Sequence, residues 1–259
     1  MSDSTTAKHD DWDTHWDRYA EAATLNPAQR MRHEYVSDWL VKVAPNKEAH
    51  ILDIGSGQGD MVRLLHLLLP DAQFMGIELS ESGVEISKRK VPSAKFLVAD
   101  LFHPGADLLP YTGWATHAVC SEVLEHVDDP VAFLRQAQPY LAQGARIMVT
   151  VPGGPMSAFD RHIGHRQHFT RESIARVLSA AGFQIEETHS IGFPFFNLYR
   201  LTVIARGEKL VDDIRSGSTA GHSGLAKFVM KVFRFLFRFN LPSTPFGWQV
   251  VAIARKASP

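Results

Sequence analysis

Several side chains that can move a proton or hold a metal ion fall in two short stretches of this chain. Glu122, Glu125 and His126 lie close together in the sequence. Three further histidines follow at His162, His165 and His168. Imidazole changes charge near neutral pH, so each of these four histidines is a candidate general base. Any one of them could also be structural, and we predict that His126 and at least one of the later three face a reacting group.

A glycine-rich turn forms the second candidate site. The apolar run Ile51–Ile54 leads into Gly55-Ser56-Gly57-Gln58-Gly59, and a helical pattern begins at Met61. Glycine lets the backbone turn sharply and approach a ligand closely, and the first turn of a helix offers free N–H groups to an anion. A dinucleotide-binding turn requires Gly or Ala at the sixth position from Gly55, where this chain has Asp60. The turn therefore favours a different nucleotide-like cofactor.

The acid that precedes the first glycine carries a resemblance to a known family. The pattern Asp-x-Gly-x-Gly-x-Gly, starting at Asp53, resembles motif I of the class I S-adenosylmethionine (SAM)-dependent methyltransferases. Glu78 and Asp100 end the next two apolar runs, where that family has acids for the ribose hydroxyls and the adenine amino group. The resemblance implies SAM as the cofactor. The cofactor-binding residues that it implies are Arg32, Asp53, Gly55, Ser56, Gly57, Gly59, Glu78, Leu79, Asp100, Leu101 and Glu122.

Two further segments resemble the ubiquinone-biosynthesis O-methyltransferases. The stretch from Asn26-Pro27 to Arg32 resembles a segment in which an arginine meets the SAM carboxylate, and Arg30 is a second candidate for that role. Glu122, Glu125 and His126, with a later histidine, resemble the Mg²⁺ site of that branch, where the metal orients and acidifies a hydroxyl pair. In relatives without a metal, the same acids and imidazole form local hydrogen bonds.

These residues require a sheet that brings the ends of several strands to one edge. The resemblance implies a Rossmann-like α/β fold with seven strands in the order 3-2-1-4-5-7-6, strand 7 being antiparallel. Ligands of open α/β sheets bind at the carboxyl ends of the parallel strands. Gly144 is expected to end the helix before strand 5, and residues 152–170 are expected to lack regular structure.

We predict three parts of the chain. Residues 1–45 form an N-terminal helical cap, in which the aromatic residues of segment 11–19 share one helical face. Residues 46–191 and 247–259 form the SAM-binding domain. Residues 192–246 form an α-helical insertion that leaves the carboxyl edge of the sheet, and we expect it to cover the acceptor site.

The second half of the insertion has a basic row and many aromatic residues. Lys227, Lys231, Arg234 and Arg238 follow one another at spacings of four, three and four within segment 225–239. We expect the five phenylalanines of this segment to pack on the domain as a lid above an apolar cavity, with the basic row outside. The alternative is peripheral contact of 225–239 with a membrane.

Composition limits the classes of function. Of 259 residues, 45% are hydrophobic and 21% are charged, and the net charge is −1, so no overall field attracts nucleic acid and no nucleic-acid partner is expected. The single cysteine, Cys120, fits a reducing compartment. No apolar run approaches the ~18 residues of a membrane span, and the N-terminus does not resemble a signal peptide. We expect a cytoplasmic protein, with the inner face of a membrane as the alternative location.

The sequence thus predicts a SAM-dependent methyltransferase that acts on a small or lipid-linked acceptor, and we expect oxygen as the acceptor atom. Methylation at nitrogen or carbon is an alternative on the same fold. A SAM-binding or interaction module without catalysis is the non-enzymatic alternative.

Overall fold

A computed structural model describes Asp13 and residues 26–44, 48–215 and 224–257, with the backbone alone at 208–215 and 225–227. The predicted aromatic face of segment 11–19 lies outside the described residues except for Asp13. The Asp13 carboxylate accepts hydrogen bonds from the Ser80 hydroxyl at 2.5 Å and from the Ser82 N–H at 3.1 Å. The cap over residues 1–45 therefore stays a prediction.

A seven-stranded sheet forms the centre of the molecule. Its strand order is β3-β2-β1-β4-β5-β7-β6, and β7 runs antiparallel to both β5 and β6. The predicted fold class is confirmed. The strands are β1 (His50–Ile54), β2 (Gln73–Glu78), β3 (Lys95–Val98), β4 (Ala115–Ser121), β5 (Leu141–Pro152), β6 (Phe183–Ile191) and β7 (Gln249–Lys256).

Helices cover both faces of the sheet. Most begin where a side chain accepts a hydrogen bond from the first turn, as Asn26 does from the Ala28 N–H at 2.9 Å and Asp129 from the Ala132 N–H at 2.9 Å. The helices are α1 (Pro27–Val43), α2 (Asp60–Leu68), α3 (Glu81–Lys90), α4 (Pro130–Ala137), α5 (Ala158–His162), α6 (Arg171–Ala180), α7 (Phe195–Arg215) and α8 (Gly224–Leu236). No described helix is both long and apolar enough to cross a bilayer.

The core has two layers, one on each face of the sheet. Leu134 of α4 and Ile174 of α6 pack on one face, and Leu40 of α1 and Leu65 of α2 pack on the other. Because the central strands are covered on both faces, they consist of continuous apolar runs rather than alternating ones. Polar side chains are thereby confined to the strand ends, where the candidate site lies.

Two expectations about the middle of the chain are wrong. Gly144 does not end a helix, because α4 already ends at Ala137 and Gly144 lies within β5 with φ of 72°. The pairing of β4 with β5 shifts register at this point, which the left-handed glycine permits. Residues 152–170 also contain the short helix α5, which Ser157 and Asp160 cap reciprocally.

The insertion packs differently from the prediction. Phe233 of α8 and Phe237, in the 3₁₀ turn after α8, join Phe196 of α7 in a third apolar cluster. Phe228, Phe235 and Phe239 are instead 64%, 56% and 58% exposed. The aromatic residues of 225–239 therefore form two faces, and only one of them packs on the protein.

This division predicts unequal effects of two phenylalanine truncations. Phe237→Ala should lower the free energy of unfolding by about 3 kcal/mol, because it empties a packed site. Phe235→Ala, at an exposed position, should change it by less than about 0.5 kcal/mol. Urea denaturation followed by circular dichroism measures both values. Equal losses for the two variants would contradict the assignment of the packed face.

Candidate functional site

A cavity of about 280 Å³ opens at the carboxyl ends of β1, β4 and β5. Helix α1 borders it on one side and α7 on another, while α5 and the loop after it complete the wall. Polar or charged residues make up most of the residues that line it, and none of the described residues of α8 is among them. The apolar cavity expected beneath α8 stays a prediction. The lining includes Arg32, Asp53, Gly55, Ser56, Gly57, Glu122, Glu125, His126, His165, Arg200 and Gln249.

The glycine-rich turn forms the floor of the cavity. The N–H groups of Gly55 and Ser56 donate to the carbonyl oxygen of Ile77 at 2.8 and 3.1 Å, which ties the turn to β2. Gly55 has φ of 73°, and a Cβ at this position would overlap the side chain of Val123. Only glycine fits both constraints, and the backbone of the turn consequently borders the open space directly.

Asp53 carries a buried carboxyl group next to this turn. Burial, reinforced by the negative charge of Glu78, raises the pKa of Asp53 to about 7. Asp53 Oδ2 and the neighbouring Ser56 hydroxyl have no hydrogen-bond partner among the described residues. Buried polar atoms without partners are uncommon and often indicate a missing ligand. A cationic or hydroxyl group in the cavity would satisfy both.

Glu78 holds the turn in place. Its Oε2 accepts from the Gly57 N–H at 2.8 Å and its Oε1 accepts from the Ser80 N–H at 3.0 Å. Burial raises the pKa of Glu78, and the backbone N–H groups oppose that shift.

Asp100 accepts from the Phe102 N–H at 2.8 Å and faces His103. Five of the predicted cofactor residues do not line the cavity, namely Gly59, Glu78, Leu79, Asp100 and Leu101.

Glu122 connects the cavity to α1 through a residue that the sequence analysis missed. Its Oε1 accepts from Gln249 Nε2 at 2.8 Å, and its Oε2 lies 3.5 Å from Arg32 Nη1. Gln249 is fully buried and also donates to the Val151 carbonyl at 2.9 Å. Glu122 has φ of 58°, a strained conformation for a non-glycine residue that is common at functional sites. A polar residue in the apolar strand β7 was the available signal for Gln249.

Hydrogen bonds fix the proton positions of two of the predicted histidines. His168 Nδ1 lies 3.1 Å from the Gly154 carbonyl oxygen, so this nitrogen carries a proton and donates it. His168 Nε2 then accepts from His165 Nδ1 at 3.2 Å. The other nitrogen of His165, Nε2, is left with a free lone pair, 4.0 Å from Glu125 Oε1. The relay orients a neutral imidazole into the cavity.

Glu125, His126 and His165 form a compact group at this point. One ligand atom from each lies within 4.8 Å of the others, a spacing that admits a metal ion. Burial, reinforced by Glu122, raises the pKa of Glu125 well above its usual range, and neither of its carboxyl oxygens has a hydrogen-bond partner among the described residues. Burial, reinforced by His126, lowers the pKa of His165 to about 3. The donors thus fit a cation, with His165 as the expected later histidine, and Glu122 is not part of the group.

A second possible ligand group fits a cation less well. It combines Asp160 with His165 and His168. The Asp160 carboxylate accepts two hydrogen bonds from Arg200, at 2.9 and 2.8 Å. Although burial opposes its ionisation, the Arg200 guanidinium lowers the pKa of Asp160 to about 2. Because Asp160 and both nitrogens of His168 already have partners, we assign this group a structural role.

The structure thus separates the four predicted histidines. His126 and His165 line the cavity, and His168 supports His165 from behind. His162 is exposed at the end of α5 and does not line the cavity. The Asp160–Arg200 ion pair, which holds α5 against α7, was missed because its members are forty residues apart and have no local signature.

Comparisons with known proteins agree with this geometry. A family model described as a methyltransferase domain matches residues 28–188, more than half of the chain. The trans-aconitate 2-methyltransferase of Yersinia pseudotuberculosis is 32% identical over 96 residues, which make up 36% of this chain and 34% of that protein. This chain therefore covers about a third of the length of that relative.

Two other relatives match over more of the chain. The ubiquinone biosynthesis O-methyltransferase of Xanthomonas euvesicatoria is 26% identical over 215 residues, which make up 72% of this chain and 83% of that protein. The geranyl diphosphate C-methyltransferase of Streptomyces coelicolor, solved with Mg²⁺, geranyl diphosphate and S-adenosyl-L-homocysteine, superposes with a TM-score of 0.53. It is 14% identical and covers 85% of this chain and 76% of its own, so the likeness concerns the fold. The family match, the strand order and the glycine-rich turn show that this protein belongs to the methyltransferase domain family, in the SAM-dependent class.

Proposed function

We propose that this protein transfers the methyl group of SAM to a hydroxyl oxygen of an acceptor whose reacting part is small and polar. The observation that carries the proposal is the Glu125–His126–His165 group, which lies in the same cavity as the glycine-rich turn. The similarity to a ubiquinone biosynthesis O-methyltransferase supports oxygen as the acceptor atom. A lipid-linked acceptor meets the same requirement if only its polar head enters the cavity.

The cofactor would lie along the turn and α1. SAM supplies a methyl group that is already electrophilic, so the protein mainly has to align the acceptor. Asp53 and Ser56 offer unpaired polar atoms to the cofactor, and the Asp53 carboxylate suits its cationic amino group. Arg32 is held toward the cavity by Glu122 and Gln249, in a position to meet a carboxylate. The predicted cofactor residues that do not line the cavity support the turn or continue the strand ends beside it.

We propose that Glu125, His126 and His165 hold a divalent cation. Such an ion would orient an acceptor hydroxyl and lower its pKa. A pKa of about 3 makes His165 too weak a base to take a hydroxyl proton unaided, whereas a neutral imidazole with a directed lone pair is a good metal ligand. Two imidazoles and one carboxylate also suit transition metals such as Mn²⁺ or Zn²⁺, beside the Mg²⁺ implied by the resemblance.

The first test of this proposal searches for the acceptor and removes one ligand. Incubation of the protein with isotope-labelled SAM and a metabolite and lipid extract should give a labelled product. His165→Asn should reduce that labelling on the order of 100-fold with SAM affinity unchanged, because loss of a residue that binds or orients a metal ion typically costs metal affinity or activity up to about 100-fold. The matched control is His162→Asn, at the exposed end of α5. Its labelling should stay within about twofold of the wild type, because His162 does not line the cavity.

Metal removal provides a separate arm of the same test. Labelling should disappear in EDTA and return with one of Mg²⁺, Mn²⁺ or Zn²⁺. Full labelling in EDTA would remove the metal from the proposal. If the His165→Asn variant also gave full labelling, the Glu125–His126–His165 group would have no part in the reaction.

A second prediction concerns the glycine-rich turn. Gly57 has φ of 53° and donates its N–H to Glu78. Gly57→Val should lower SAM affinity at least about tenfold, because a branched side chain strains this conformation and occupies cofactor space. Calorimetric titration with SAM measures the affinity, and circular dichroism checks the fold. Gly105→Val is the control, since Gly105 has φ of −74° and a Cβ there would meet no atom within 4 Å. Equal affinity in both variants would exclude the turn from the cofactor site.

A third prediction links cofactor binding to pH. With a pKa of about 7, Asp53 is largely protonated below neutral pH before the cofactor binds. A cationic amino group beside it favours the charged carboxylate, so binding should release a proton and affinity should fall as the pH drops below 7. Calorimetry near pH 6.5 in two buffers of different ionisation enthalpy detects the released proton. Asp53→Asn should abolish the difference between the buffers, and a wild type without that difference would contradict this role for Asp53.

A further inference from the structure

Helix α8 exposes a continuous apolar row on the side that faces away from the protein. Phe228, Val232, Phe235 and Phe239 follow one another at spacings of four, three and four, and are 64%, 39%, 56% and 58% exposed. This spacing places them along one side of α8 and of the 3₁₀ turn after it, in which Phe239 lies. The rings of Phe235 and Phe239 contact each other edge to face, with centroids 5.4 Å apart. The row is opposite the side that Phe233 and Phe237 bury.

The exposure is concentrated in this region. Among the described residues, four of the five phenylalanines that count as exposed lie between 228 and 246, and only Phe102 lies elsewhere. Scattered apolar residues are normal on protein surfaces, but a contiguous row of large ones marks a contact surface. The row therefore needs an apolar occupant.

A basic row runs directly beside the apolar one. Lys231, Arg234 and Arg238 are exposed and follow at spacings of three and four. Lys231 lies between Phe228 and Phe235 along the helix, three residues after the first and four before the second. No acidic residue occurs in the sequence from 224 to 257, so the positive charge of this surface has no local compensation within that segment. The occupant must therefore be both apolar and anionic.

We propose that this face of α8 docks on an anionic lipid bilayer, with the apolar row at the boundary between headgroups and acyl chains and the basic row against the headgroups. A helix that lies in the membrane surface has this division into an apolar face and a basic edge. A second copy of the chain fits the surface less well, because its α8 would bring another row of cations and no acid from 224–257.

The docking face and the cavity lie on opposite sides of a shared aromatic cluster. Phe233 and Phe237 contact Tyr199, with ring centroids 5.3 and 5.9 Å apart, and Tyr199 with Phe196 lines the cavity. A docked bilayer would be separated from that wall by α8 itself, a thickness of about 10 Å. The inference rests on the helix surface alone, and it holds whether the acceptor is soluble or lipid-linked.

Vesicle sedimentation tests the proposal with the full-length protein. At low salt, the wild type should bind vesicles that contain phosphatidylglycerol and phosphatidylcholine, and it should bind pure phosphatidylcholine weakly. Binding to the anionic vesicles should fall at roughly 0.5 M NaCl, because screening then shortens the reach of charges to a few ångströms. The double variant Phe235→Ser/Phe239→Ser and the triple variant Lys231→Gln/Arg234→Gln/Arg238→Gln should each reduce binding at least about tenfold. SAM affinity should be unchanged in both, which separates this result from any failure of the cofactor site.

Matched controls change the same kinds of residue elsewhere on the surface. Leu67→Ser/Leu109→Ser alters two side chains that are each 70% exposed, outside α8. Arg63→Gln/Lys88→Gln/Arg89→Gln removes three exposed cations from α2 and α3. Both controls should bind vesicles within about twofold of the wild type, because they leave the α8 face unchanged. A nonspecific effect of charge or hydrophobicity would instead lower binding in the controls and the α8 variants alike.

Three outcomes would overturn the proposal. The first is a wild type that fails to sediment with anionic vesicles at low salt. The second is binding by the α8 variants equal to that of the wild type, which would assign binding to another surface. The third is a wild-type dimer in light scattering that the phenylalanine variant abolishes, together with no binding to vesicles, which would make a second copy the occupant.

Discussion

The burial of carboxyl groups at one edge of the sheet is the constraint on which the rest of the site depends. Asp53, Glu78 and Glu125 are 3%, 7% and 0% exposed, respectively. A buried carboxylate is costly unless it is hydrogen-bonded or paired with a cation, and otherwise its pKa rises. Glu78 uses backbone N–H groups, whereas Asp53 and Glu125 keep carboxyl oxygens without partners. The protein has thus built places for positive charge that its own described side chains do not fill.

The two partly unsatisfied acids divide the cavity into two chemical regions. Asp53 lies beside the glycine-rich turn, where an organic cation would meet backbone and hydroxyl groups. Glu125 lies beside the imidazoles of His126 and His165, and one ligand atom from each of the three residues lies within 4.8 Å of the others. Arg32 lines the same cavity, with its Nη1 3.5 Å from Glu122 Oε2, and would supply positive charge to an anionic group bound there. The proposed cofactor and acceptor hydroxyl would therefore share one cavity.

The parts of this site that are local in sequence could be predicted, and the parts that depend on distant contacts could not. Asp53 and Gly55 belong to one strand–turn–helix segment, so their position side by side at the cavity follows from local spacing, and their proposed roles follow from the resemblance of that segment. Gln249 and Arg200 reach the cavity from elements far along the chain, and neither spacing nor composition places them there. The relay from Gly154 through His168 to His165 depends on how the loop after β5 folds back, which α5 and its Ser157 cap determine.

The insertion shows the same limit in a different form. Aromatic residues occupy two rows of segment 225–239, and either row could have packed on the domain. The row that includes Phe233 and Phe237 is chosen by its partners, Ala28 of α1 and Phe196 of α7, which are distant in sequence. Helical periodicity reports that a helix is amphipathic, but tertiary contacts decide which of two apolar faces is buried. Because α7 gives Phe196 to that cluster and is tied by Arg200 to Asp160 of α5, the insertion is anchored at the cavity wall. This anchoring leaves the row of Phe228, Phe235 and Phe239 facing away from the protein. Its exposure therefore follows from the same contacts that form the cavity wall.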